Sequence, residues 1–185
     1  MDKSTHLENV HLNLGDTAVG SLALRPWQEG DEPALVKHGN NYRIWQNVRD
    51  RFPHPYTMKD AQLWVQVADK DSSSLNLAIT LNDEAVGAIG VSFKDDVYHQ
   101  TAEIGYWLGE AYWYHGLASR AVQALTEYVL AHTDICRIYA GVFEHNTASS
   151  RVLEKAGYAL EARLRKSITK EGRTVDELIY ARIKD

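Results

Sequence analysis

The stretch EAYWYHGLASRAVQAL, Glu110 to Leu125, decides the fold. A strand-like run, AEIGYWLG, leads into it, and an amphipathic helical pattern, LASRAVQALTEYVLA, leads out. Gly116 stands where the helix begins. The first turn of a helix leaves backbone N–H groups without intrahelical acceptors, and small residues let a ligand approach them, so this junction is an anion site in outline. The chain has neither the G-x-x-x-x-G-K-[ST] run of a Walker loop nor the G-x-G-x-x-G run of a dinucleotide fold, and no lysine stands ready for a transferable γ-phosphate. Trp113, Gly116, Ala118 and Ser119 remain. Taken alone, they read first as an ordinary strand-to-helix turn.

Outward from the junction, apolar periods of two and of 3.6 mark the elements. SLALRPW reads as a strand that ends at Pro26, and Asp31 is placed to cap a short helix with Pro33 in its first turn. Thr57 and Asp60 open a second helix as a capping box, with Ala61, Trp64, Val65 and Ala68 on one face. LNLAITL and AVGAIGVSF around NDE form an antiparallel hairpin. In the next strand Ala102, Ile104, Tyr106 and Leu108 share one face and Glu103, Gly105 and Trp107 the other. The helix after Gly116 buries Ala118, Ala121, Val122, Leu125, Tyr128 and Val129. RIYAGVF is a strand. Asn146 caps a helix carrying Ser149, Val152, Leu153 and Ala156, closed by Gly157. Two strands around KEGR end the chain. The order predicts an α+β fold on a mixed sheet, not a βαβ repeat. Residues 1–20 read as an N-terminal arm or edge strand and residues 21–185 as one domain.

At 185 residues, 44% hydrophobic and 24% charged, the chain has the composition of a globular domain with a substantial core. A net charge of −5 points away from nucleic acid and from membrane surfaces. The start MDKSTHLENV has no basic or apolar region of a signal peptide, and no apolar run approaches a membrane span, so a cytoplasmic location is expected. One cysteine, Cys136, excludes an internal disulfide, and beside RIYAGVF it reads as a small buried residue. The histidines lack zinc-helix spacing, so no metal is expected.

EIGYWLGEAYWYHGLASRAV followed by VFEHNTASSRVLEKAGYALEA resembles the Gcn5-related N-acetyltransferase (GNAT) superfamily. Its pyrophosphate signature, Q/R-x-x-G-x-G/A, falls on Trp113, Gly116 and Ala118. A leading tryptophan is common in the branch of the Rim-type ribosomal-protein N-terminal acetyltransferases. That branch usually has glycine where Tyr114 stands, so the tyrosine either narrows the loop or lends it a hydroxyl. The second signature, N-x-x-S before a helix ending in G-[FY], falls on Asn146, Ser149, Gly157 and Tyr158. AEIGYWL and YARIKD also resemble this branch, and the likeness spans about residues 21–185. It implies a three-layer α/β/α fold with a mostly antiparallel mixed sheet, and acetyl-CoA as co-substrate. Trp113, Tyr114, His115, Gly116, Leu117, Ala118 and Ser119 would hold its pyrophosphate. The backbone of Tyr106, Trp107 and Leu108 would hold the acyl arm and an oxyanion. Asn146 would contact the pantetheine arm while also capping its helix.

Glu103 becomes the candidate general base, acting through water, against the reading of a solvated strand glutamate. Ser149, on an apolar face, must hydrogen-bond something: a backbone group of its helix, or the sulfur of coenzyme A as acid or thiolate stabiliser. Trp45, Asn47, His54 and Tyr56 lie on the irregular segment that walls the acceptor cleft in this superfamily, where ordinary loop packing is the alternative. With no Cys–His pair, direct attack by the amine is expected. The acceptor reads as a protein N-terminus, such as that of a ribosomal protein. A small amine (polyamine, amino acid or antibiotic) and a non-catalytic acyl-CoA-binding module are the alternatives. Monomer and homodimer both remain open.

Overall fold

The computed structural model describes residue 7, residues 9–68 and residues 70–184. Among these, strands β1 (Leu12–Thr17), β2 (Gly20–Pro26), β3 (Ser74–Leu81), β4 (Glu84–Phe93), β5 (Thr101–Leu108), β6 (Arg137–Phe143), β7 (Ala159–Lys170) and β8 (Arg173–Ile183) form one sheet. Their spatial order is β1-β2-β3-β4-β5-β6-β8-β7. Every pairing is antiparallel except that of β5 with β6. The chain between those two strands runs through helix α4 (Leu117–His132), the crossover that a parallel pair requires. The parallel ladder is short. Thr101, Ala102 and Glu103 lie opposite Arg137, Ile138 and Tyr139, and beyond them the two strands part.

The alternation along β5 sorts the core into two layers. Ala102, Ile104 and Leu108 pack with Leu117, Ala121, Val122, Leu125 and Val129 of α4 and with Leu153 of α5 (Thr147–Lys155). Trp107 points the other way, toward Trp27, Leu35, Tyr56, Ala61 and Ala78, beneath helices α1 (Glu32–Gly39) and α3 (Met58–Val67). A one-turn helix, α2 (Tyr42–Trp45), lies between those two in the chain. The three-layer arrangement and the mostly antiparallel mixed sheet are therefore as the sequence led us to expect. Helix starts follow their local signals: Thr57 and Asp60 form the capping box of α3, and the Asn146 side chain accepts from the Ser149 N–H.

Three expectations need correction. Asp31 occupies the N-cap of α1 but makes no side-chain cap bond. Its carboxylate instead grips buried Arg25 through two bonds of 2.8 Å and accepts from the Gln28 N–H at 3.1 Å. A guanidinium shielded from water needs a paired carboxylate more than a surface helix needs a cap. Cys136 is exposed, not buried, because it precedes β6 at the end of the sheet. On α4 the expected Ala121, Val122, Leu125 and Val129 are fully buried and Leu117 joins them, while Ala118 and Tyr128 are half-buried at the rim of the core. The early residues Leu12–Thr17 pair with β2 and so form an edge strand of the same sheet.

Candidate active site

Where β5 and β6 part, the sheet opens into a cleft of about 1210 Å³ that reaches both of its faces. On the α4 side it is lined by Gly116, Ala118, Ser119, Asn146 and Ser149. On the α3 side it is lined by Asn47, Arg49, Phe52, Glu103, Trp107 and Glu177. The two sets lie on opposite faces of the sheet and border one cleft through the gap.

Gly116 is the N-cap of α4 and adopts φ 75°, a left-handed conformation that glycine takes without steric cost. No side chain caps this helix, so the N–H groups of its first turn have no side-chain partner, and Gly116 to Ser119 line the cleft. Tyr114 also has positive φ, 67°, and its ring is 94% exposed. The Trp113 indole donates to the Leu108 carbonyl at 2.7 Å and lies 5.2 Å beneath the Arg43 guanidinium, which ties the loop to the end of β5. Leu117 offers its backbone only, since its side chain is buried in the core. His115 is exposed and does not line the cleft.

Ser149 projects toward β5. Its Oγ lies 2.7 Å from the Tyr106 hydroxyl, which also donates to the Ser149 carbonyl at 3.2 Å. Burial pushes the Tyr106 phenol up, and the Ser149 hydrogen bond only partly opposes it, so this hydroxyl stays protonated. Ser149 thus has the partner that its place on an apolar face required, and that partner comes from the strand beside the gap.

Glu103 lines the other mouth with its side chain 16% exposed. Burial alone would raise its pKa, but Lys94 at 2.9 Å and the Arg49 guanidinium outweigh burial and hold the carboxyl below its ordinary value. The Tyr139 hydroxyl adds a longer bond of 3.4 Å. Glu103 is therefore a fixed carboxylate between two cations, not a solvated strand residue.

The acceptor-side segment divides. Asn47 and Tyr56 line the cleft; Trp45 and His54 do not. Tyr56 is buried against Phe52, with its phenol pushed up to about 12 by burial. Asn47 donates to the Arg43 carbonyl at 2.9 Å, while its own amide oxygen is buried without a partner. Trp45 and His54 stack 5.4 Å apart, and the Lys170 ammonium sits 3.7 Å from the Trp45 ring centroid. Lys170 also donates to the Val48 carbonyl at 3.0 Å and to Asp50 at 2.6 Å. That clasp joins the β7–β8 turn to the segment. Among the described residues, no group of three or more His, Cys, Asp or Glu is placed to hold a metal, and no helix is long and apolar enough to cross a membrane.

Residues 21–159 match the acetyltransferase (GNAT) domain family. The chain belongs to it. Among curated GNAT relatives, an uncharacterized N-acetyltransferase, p20, of Bacillus licheniformis is 32% identical over 113 residues, 61% of this chain and 63% of that protein. The ribosomal-protein-serine acetyltransferase of Escherichia coli (strain K12) is 32% identical over 103 residues, 56% of this chain and 57% of that protein. These matches thus span about six tenths of the relatives' lengths. Among solved structures, a ribosomal alpha-N-protein acetyltransferase, RimL, in complex with coenzyme A superposes with a TM-score of 0.82 at 24% identity, covering 95% of this chain and 99% of that one. A GNAT-family acetyltransferase from Bacillus anthracis gives 0.76 at 26% identity, covering 90% and 97%.

Within this GNAT domain, the reading of the sequence missed Tyr106 as a hydroxyl partner, the cations on Glu103, and the Lys170 clasp. Lys94 carried a signal, because Ser92 pairs with Glu103 and Lys94 follows two residues later on the same face. Arg49 and Lys170 carried none, lying 54 residues from Glu103 and 122 from Val48.

Proposed function

We propose that this GNAT domain transfers an acetyl group from acetyl-CoA to a primary amine, and that the amine is the N-terminus of a protein. The observation that carries the reading is the opened β5–β6 gap, which joins an uncapped helix start on one face to a fixed carboxylate on the other. Acetyl-CoA would supply an activated thioester. The fit is good, since the left-handed Gly116 and small Ala118 and Ser119 leave the first-turn N–H groups of α4 open to a pyrophosphate. The β6-facing backbone edge of β5 beyond Glu103 is free of its ladder and can hold an acyl arm. Asn146 and Ser149 border the same passage. Ser149, in contact with the protonated Tyr106, can pass a proton to a departing thiolate.

Glu103 acts on the amine. A carboxylate held below its usual pKa is a weak direct base, so its part is to take the proton of the amine through a bridging water. Attack is direct, because exposed Cys136 lies before β6 and does not line the cleft. A peptide suits the α3-side mouth better than a polyamine does. Arg49 and Arg51 line that mouth and their like charge disfavours a polycation, while Glu103 and Asp50 are held by Arg49, Lys94 and Lys170. The likeness to the ribosomal-protein-serine acetyltransferase of Escherichia coli, 32% identical over 103 residues, supports the same acceptor class.

The test compares kcat/KM for a peptide with a free N-terminus, a peptide whose only amine is a lysine ε-amine, and spermidine. The N-terminal peptide should lead, and a clear preference for spermidine would replace the acceptor assignment with a small amine. Calorimetry should show acetyl-CoA binding more tightly than ATP; equal or tighter ATP binding would overturn the cofactor.

A further inference from the structure

The cleft extends past the reacting gap as a groove across the α3-side face of the sheet. Its floor is Gly105 of β5, then Ala88, Gly90 and Ser92 of β4, then Asn76 and Ser74 of β3. The register confirms that these residues share a face: Gly105 pairs with Gly90, and Gly90 with Asn76. One wall is the outer stripe of α3, where Leu63 is 60% and Val67 42% exposed, with Trp64 between them. The other is the segment from Arg49 to Pro53.

Gly105 is the informative residue. Ten of the other eleven glycines have a local reason to lack a side chain, either a positive φ or a neighbour that a Cβ would press, and Gly39 is close-packed against Phe52 and Trp107. For Gly90, the partner of Gly105, the pressed neighbour is the Asn76 side chain, 2.5 Å from where a Cβ would lie. Gly105 has neither, since a Cβ there meets nothing within 4 Å and its backbone is ordinary strand. A glycine inside a strand gives up packing and backbone entropy, and an unforced one marks a place where another chain or ligand comes close.

We infer that this groove is an acceptor subsite that holds, in extended form, the residues following the reactive amine of a peptide, with an apolar side chain against Leu63 and Val67. The inference rests on the acetyltransferase reading above and names what that site selects. The groove is continuous with the gap, because Gly105 lies two residues from Glu103 and directly precedes Tyr106. Strands stand about 4.8 Å apart, so two steps from β5 to β3 span roughly 10 Å, the length of about three extended residues. The floor is open at Gly105, where a backbone can lie, the Asn76 side chain that covers Gly90 offers it a polar contact, and the exposed aliphatic stripe supplies the side-chain wall.

Gly105→Val places a side chain on the floor at a position where its Cβ meets nothing within 4 Å. The readout is the ratio of kcat/KM for a six-residue N-terminal peptide with leucine at its third position to that for a single amino-acid amide. The ratio should fall about 10-fold or more in Gly105→Val, and several-fold in Leu63→Ser, a surface change that spares the fold. Replacing the leucine of the peptide by serine should lower kcat/KM in the parent protein and not in Leu63→Ser. An unchanged ratio in both variants, or equal losses on both acceptors, would overturn the subsite while leaving the acetyltransferase reading intact. A parent protein that acetylates neither acceptor would overturn both.

Discussion

Tyr114 holds a left-handed backbone with its ring in solvent, so the fold gains little packing from it. A non-glycine residue there costs about 1–2 kcal/mol, whereas glycine would cost about 0.5–1 kcal/mol more in lost unfolded-state freedom. Tyr114→Gly should therefore change stability by less than about 1 kcal/mol in denaturant melts, the two terms nearly cancelling. Glu103 behaves oppositely, since its surroundings set its charge. Its folded-state pKa lies below the unfolded carboxylate value, so its ion pairs contribute stability that is present above that unfolded value and lost as pH falls through the folded one. Lys94→Met removes the largest contribution opposing burial and leaves Arg49 alone to oppose it, so the Glu103 pKa should rise. A carboxyl-carbon NMR titration reads this directly, and the acid limb of kcat/KM should move up in pH with it. Ser149→Ala should lower turnover across the pH range with little change in acetyl-CoA affinity, as measured by steady-state kinetics and calorimetry.

At the scale of elements, α4 shows how one glycine serves both fold and site. A Cβ at Gly116 would meet nothing, so substitution there acts through backbone conformation alone. Gly116→Val should cost about 1–2 kcal/mol of stability from the left-handed φ, measured by denaturant unfolding, and should weaken acetyl-CoA binding by crowding the helix start. Helix and strand boundaries of this kind were legible in the sequence because each depends on a few adjacent residues: the Thr57–Asp60 box, the Asn146 cap, the alternation along β5. Asp31 misled because a cap-forming residue within reach of a buried arginine serves the arginine first.

At the scale of the molecule, the Lys170 clasp links the β7–β8 turn to the segment that covers the cleft. Lys170→Met keeps the stem over Trp45 but drops the bonds to Val48 and Asp50. It should raise the peptide KM several-fold while leaving acetyl-CoA affinity unchanged, and residues 45–54 should exchange amide hydrogens faster. The sequence by itself determined the elements, their order, the glycine turn at Gly116 and the Asn146–Ser149 cap, because each arises from interactions along a few residues of chain. Only the tertiary structure decided where β5 and β6 part, that Ser149 meets Tyr106, that Arg49 and Lys94 hold Glu103 as a carboxylate, and that Trp45 and His54 stack outside the cleft while Asn47 and Tyr56 line it. Those contacts join residues dozens of positions apart, and which of them form depends on how helices and segments settle on a sheet, a choice that no local pattern of side chains encodes.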